Sequence, residues 1–187
     1  MPKIEQSTKS DWRYDLEPWT EMAYCTAIID MWTQPWSVQY PAPKRKVKIA
    51  FEVPNQMYTN QDGVECPKII YANYTLSTAE KATFRPVFEA LYQWTPDTDD
   101  YYAINFDKLV WSACSITLER KGDYVNVTQV AKLPKGVNLS VSMHNTPFTF
   151  DLDSFDQKKF DSLGEKIKEK IITSPEYQKA TWEDPKF

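Results

Sequence analysis

The chain has little glycine, cysteine or histidine: four Gly, three Cys and one His among 187 residues. The glycine-based phosphate loops GxGxxG and the P-loop are absent. So are the GxSxG nucleophile elbow and the HExxH zinc motif, which leaves no familiar arrangement for phosphoryl transfer, acyl transfer or zinc chemistry. Cys25, Cys66 and Cys114 are isolated and never form a CxxC pair, and His144 is alone, so neither a disulfide framework nor a zinc site is supported. No run approaches the ~18 apolar residues of a membrane span, and Met1 to Asp11 is polar without the apolar stretch of a signal peptide. These absences lead us to expect a soluble, cytoplasmic, non-catalytic protein without a cofactor or a metal.

Positive charge is also scarce overall. Asp plus Glu number 26 against 22 Lys plus Arg, for a formal net charge of −4 and a pI near 5.1. Against that background the run Lys44-Arg45-Lys46-Val47-Lys48-Ile49-Ala50-Phe51-Glu52-Val53 concentrates cations on a segment that alternates like a half-buried strand. Val47, Ile49, Phe51 and Val53 fall on one face and Lys46, Lys48 and Glu52 on the other, because successive strand side chains point to opposite sides. Such a strand can hold a polyanion locally, or it can be a solvated edge strand whose lysines discourage aggregation. Aromatics make up 14% of residues, with seven Trp and eleven Tyr. That is more ring surface than a core of this size requires, so some rings should be exposed for stacking or partner contact.

The length suits one domain with appendages. Strand signals fall at Tyr24 to Trp32, at the cationic run up to Pro54, at Lys68 to Leu76, at Ala113 to Arg120 and at Tyr124 to Val130. Ser77-Thr78-Ala79-Glu80 reads as a capping box opening a helix from about Thr78 to Trp94, with Pro86 as a kink. Asp97, Asp99 and Asp100 read as a solvated loop rather than a metal-binding carboxylate cluster. Phe150, Leu152, Phe155, Phe160, Leu163, Ile167 and Ile171 trace an amphipathic C-terminal segment ending near Ser174-Pro175. We therefore divide the chain into a flexible N-terminus (1–13), a folded domain (14–148), a C-terminal helical extension (149–179) and an acidic, aromatic tail (180–187).

Three strands, a helix and a two-stranded hairpin make a mainly β (α+β) chain. The order matches the five-stranded OB-fold, a Greek-key barrel whose helix lies between strands 3 and 4 and whose oligonucleotide ligands cross strands 2 and 3. The same periodicity fits another small β-barrel or an α+β sandwich.

Several stretches resemble a family of phage-encoded OB-fold single-stranded DNA-binding proteins from replication and recombination modules. They are Ile28-Ile29-Asp30-Met31-Trp32-Thr33-Gln34, the strand Val47 to Val53 followed by Pro54, Tyr74-Thr75-Leu76-Ser77 with Glu80-Lys81-Ala82 and Phe84-Arg85, Phe106-Asp107, Leu133-Pro134-Lys135-Gly136, and Phe155-Asp156 through Ser174-Pro175-Glu176-Tyr177. The resemblance covers about residues 14 to 178. This chain departs from the family pattern at Trp32, where the pattern has glycine, and again after the helix tryptophan and before the fourth strand, where it also has glycines. The resemblance implies DNA replication or recombination in a bacteriophage-infected host cytoplasm, with a possible homo-oligomer. The end of the chain is similar to the acidic tails of such proteins, which implies partner recruitment through Trp182, Asp184 and Phe187.

Binding single strands without sequence preference needs cations for phosphates and ring faces for bases. Lys44, Arg45, Lys46 and Lys48 are the phosphate candidates, joined by Lys68, Arg120 and Lys121. Trp32, Trp36, Tyr40, Tyr71 and Tyr124 are the stacking candidates, whereas Trp94 and Trp111 read as packing residues. Lys81 and Arg85, at i and i+4 of the expected helix, either touch nucleic acid or a neighbouring subunit or form surface pairs with Glu80 or Glu89. The competing function is an OB-like accessory module that binds another replication or recombination protein and has no DNA affinity of its own.

Overall fold

A computed structural model describes residues 18–35, 42–92, 96–139, 141–151 and 154–183, the last four without their side chains. β1 (Thr20–Pro35), β2 (Pro43–Thr59) and β3 (Glu65–Thr75) form an antiparallel meander. Helix α1 (Phe84–Leu91) and the short α2 (Thr98–Tyr102) follow, then the hairpin β4 (Ala113–Lys121) and β5 (Tyr124–Lys132). β6 (Phe148–Phe150), α3 (Gln157–Ser162), α4 (Glu165–Ile172) and α5 (Pro175–Glu183) complete the chain.

The protein is mainly β, and its sheet runs in the order β3-β2-β1-β4-β5. β1 is shared along its length. Its N-terminal residues Thr20 to Tyr24 pair with β4, and from Tyr24 onward it pairs with β2. Where β4 leaves the edge of β1, β6 takes over in parallel, with Ala27 opposite Phe148 and Ile29 opposite Phe150. Among the described residues no hydrogen-bonded ladder joins β3 to β5, so the sheet is open and the closed five-stranded barrel expected from the sequence is not formed. The two edges approach each other, but α1 packs against β5.

The inward-facing residues of all five long strands meet α1 in one core, which includes Ile28, Val47, Ile49, Phe51, Val53, Ile70, Ile116 and Leu118 with Phe84, Phe88 and Leu91. α1 starts at Phe84, later than the capping-box reading. Ser77 Oγ instead accepts from the Ala79 N–H at 3.3 Å in a local turn. Pro86 sits in the first turn of α1, where its missing N–H has no helical acceptor to lose, so it does not kink the helix. Pro54 does not end β2. It lies beyond the ladder with β1 and within the register shift between Val53 and Met57, a place where a strand tolerates proline. The acidic loop holds a one-turn helix, capped reciprocally by Asp97 and Asp100. The expected C-terminal helix is three pieces, interrupted at Leu163-Gly164 and at Ser174.

A second core forms on the outer side of β1, from Ile29, Met31 and Trp32 against Phe150, Phe160, Leu163 and Ile171. Trp32 was expected to stack on a ligand. It is buried instead, 5.8 Å from the Tyr177 ring and 6.2 Å from Phe155. A β-bulge between Asp30 and Trp32 turns it, with φ of 57° in the left-handed region that favours glycine. That conformation costs on the order of 1–3 kcal/mol, and the buried indole N–H, which has no hydrogen-bond partner among the described residues, adds ~1–3 kcal/mol. Burying ~150–250 Å² of ring returns about 4–6 kcal/mol. The Trp32 amide also donates to Asp30 Oδ1 at 2.9 Å. Burial therefore holds the strained turn in place. We expect Trp32→Ala to cost about 3–5 kcal/mol in urea denaturation, while Trp32→Phe, which keeps a ring and removes the orphan donor, costs less than about 1.5 kcal/mol. A Trp32→Ala loss under ~1 kcal/mol would contradict this packing role.

Candidate nucleic-acid interface

The register of the meander decides which predicted residues share a surface. Lys46 lies opposite Thr75, Lys48 opposite Asn73 and Ala50 opposite Tyr71, so these side chains all project from the outer face of β2 and β3. Lys44, two residues before Lys46, continues the row. Val47, Ile49, Phe51 and Val53, on the opposite parity, are fully buried. The apolar half of the alternation thus fixes the direction of the cationic half.

Lys46 Nζ donates to Thr75 Oγ1 at 2.7 Å. Lys48 Nζ lies 5.2 Å from the centroid of the Tyr71 ring, and Tyr71 is 48% exposed, so its ring remains available. Burial, and then the neighbouring charge of Lys170, lower the Lys48 pKa; burial and then Lys44 lower that of Lys46. Partial burial, and then Tyr58, raise the Tyr71 phenol. The row is a set of ammonium groups that repel one another, and an anion placed among them relieves the repulsion.

Lys170, in the last turn of α4 and joined through its carbonyl to Gln34 opposite Lys44, borders this surface and was not among the sequence candidates. The signal was present: Lys166 and Lys170 are one helical turn apart, beside the apolar stripe of half-buried Ile167 and buried Ile171. Gln34 Nε2 donates to the Lys170 carbonyl at 2.7 Å, and the Thr33 amide donates to Glu176 at 3.2 Å, so α4 and α5 are tied to β1.

Other candidates are used differently. Arg45 has the inward parity and pairs with Asp30, which is fully buried, through its Nε at 3.0 Å and its Nη2. Its charge is engaged by that carboxylate. Lys68 shares the inward parity of Ile70 and Ala72 and is buried, so it is no surface cation. Arg120, Lys121 and Tyr124 are exposed at the β4–β5 turn. Along β1 that turn lies past Thr20, whereas the lysine row lies at the far end opposite Ile29 to Gln34. Trp36, Tyr40, Trp94, Asp184 and Phe187 lie outside the described residues, as does the side chain of Trp182. Trp111, expected to pack, is 63% exposed with φ of 74°.

Lys81 precedes α1, so it and Arg85 do not share a helix face. Arg85 Nε donates to Glu89 at 2.9 Å and the guanidinium lies 4.6 Å from the Tyr101 ring centroid. Asp100 is engaged by Tyr92 and Lys108, and no group of three metal-ligating side chains occurs among the described residues.

Glu52 departs most from expectation. It has the outward parity yet is fully buried, because the segment before β6 crosses over it. The His144 and Asn145 amides donate to its carboxylate at 2.6 and 2.9 Å, and Asn145 Nδ2 donates at 2.6 Å. Tyr24 Oη donates to the Val141 carbonyl at 3.0 Å. This strap closes one end of the outer face and leaves the lysine row at the other.

No match was found for the chain among protein-family models, curated proteins or solved structures.

Two substitutions separate scaffold from surface. Glu52→Gln sets an amide donor against three donors and should cost about 1.5–3 kcal/mol by thermal denaturation. Lys48 has a lowered folded-state pKa, so its charge disfavours the fold; that cost is full below the lowered value, shrinks as pH rises past it and is gone only above the ordinary lysine value. Its contact with Tyr71 contributes about 0.5–1 kcal/mol in the other direction. Lys48→Gln should therefore shift stability by less than about 1 kcal/mol at pH 7; a loss above ~2 kcal/mol would make Lys48 structural.

Proposed function

We propose that the protein is a non-catalytic single-stranded DNA-binding protein that takes the strand across the outer face of β2 and β3. The observation that carries this reading is the row Lys44, Lys46, Lys48 with Lys170 beside an exposed Tyr71 ring, on a chain whose net charge is −4. A cationic track with a stacking platform is the combination that sequence-tolerant binding requires.

The sheet order supports an OB-type scaffold opened between β3 and β5. Its helix α1 lies between β3 and β4 and closes the core, and strands 2 and 3 carry the ligand face. The left-handed backbone at Trp32, where the resembled phage family has glycine, is in keeping with that resemblance. In this reading the protein coats unwound DNA during phage replication or recombination in the host cytoplasm. Its C-terminal residues Trp182, Asp184 and Phe187 recruit replication partners, and self-association along the strand is compatible with the role. No helix among the described residues is long and apolar enough to cross a membrane.

Fluorescence anisotropy of labelled oligo(dT) across a salt series tests the proposal. Four ammonium groups on single-stranded DNA give a log–log salt slope of about −3, and each Lys→Gln change at Lys44, Lys46, Lys48 or Lys170 flattens it by about 0.7. The double reversal Lys46→Glu with Lys48→Glu should abolish binding. No binding at low salt, or indifference to the reversal, would overturn the reading in favour of an accessory protein-binding module.

A further inference from the structure

A groove of about 230 Å³ opens beside Tyr71, between the outer face of β2–β3 and the C-terminal elements. We propose that this groove receives one unstacked nucleobase of the bound strand, with Tyr71 as one wall and Lys48 and Lys170 meeting the adjoining phosphate. The inference rests on the DNA-binding reading and specifies how one nucleotide is held.

The walls are apolar and partly aromatic: Ile29, Ala50, Ile69, Tyr71 and Phe148 from the sheet, with Leu163 before α4 and Ile167 on it. Asn145 and Thr146 give it a polar rim. The Asn145 amide nitrogen is committed to Glu52, which leaves its side-chain carbonyl as an acceptor. A flat ring with a hydrogen-bonding edge matches this lining better than an aliphatic chain, which has no use for the polar rim. Charge complementarity points the same way. Lys48 Nζ is 5.2 Å from the Tyr71 ring centroid, and Lys170 is close enough to depress its protonation, so an anion is favoured where the base would join its backbone.

The groove is held open by fixed elements. β6 is hydrogen-bonded to β1, the strap is pinned by three bonds to Glu52, and α4 is tied to Gln34. Binding there needs little rearrangement, which lowers the entropic cost of capture.

Gly164 lines the groove, its φ of −63° suits any residue and a Cβ added there meets nothing within 4 Å, so Gly164→Phe is the variant chosen to crowd the space. Thr146→Trp, at an exposed position on the rim, fills it from the other side if the first variant fails to fold. The probes are oligo(dT) and an abasic oligomer of equal length, titrated by anisotropy. Wild type should bind oligo(dT) roughly 5- to 100-fold more tightly than the abasic strand. Either filled variant should lose most of that preference while keeping its affinity for the abasic strand and its salt slope. A filled variant that retains the full preference would overturn the base pocket and leave DNA binding standing. Failure of wild type to bind either probe would instead overturn the DNA reading, and the pocket with it.

Discussion

Side chains along a strand alternate, and β2 uses that constraint to its limit. Val47, Ile49, Phe51 and Val53 are sealed in the core, so Lys44, Lys46 and Lys48 have only the opposite face to occupy. A one-residue slip in register would drive ammonium groups into the core and expose four large apolar side chains, at a cost of many kcal/mol. The cationic surface is therefore as firmly specified as the core itself. The proposed ligand surface inherits its geometry from this strand.

The C-terminal third of the chain then shapes what the sheet presents. Phe150, Phe160, Leu163 and Ile171 cover the outer side of β1 and bury Trp32. The strap over Glu52 covers one end of β2, while α4 brings Lys170 up to the open end. An outer face three strands wide is narrowed to a track on β2 and β3, with cations along it and a groove at its side. In the proposed reading, segregating apolar burial to one flank and charge to the other is what lets an acidic molecule attract a polyanion at one place.

The strands were legible because β-branched and aromatic residues alternate and Gly, Pro and Asn punctuate them. The parity of the cationic strand was read correctly for Lys46, Lys48 and the four apolar residues. The same parity puts Lys68 on the inward face of Ile70 and Ala72, a position that its charge alone does not reveal. Trp32 and Glu52 were not legible. One depends on a bulge that shifts the face of the chain, and the other on a strap more than 90 residues away in sequence. β6 is three residues long and exists because β4 vacates an edge, a tertiary event without a local signal. The open sheet was hidden for the same reason: periodicity identifies strands, while closure depends on where α1 comes to rest.

Lysine acetylation footprinting read by mass spectrometry tests the central claim most directly. With saturating oligo(dT), Lys44, Lys46, Lys48 and Lys170 should become protected together, while Lys135 and Lys158, exposed elsewhere on the molecule, should react as in the free protein. Uniform reactivity with and without the strand, or protection confined to lysines outside the β2–β3 face, would contradict the account.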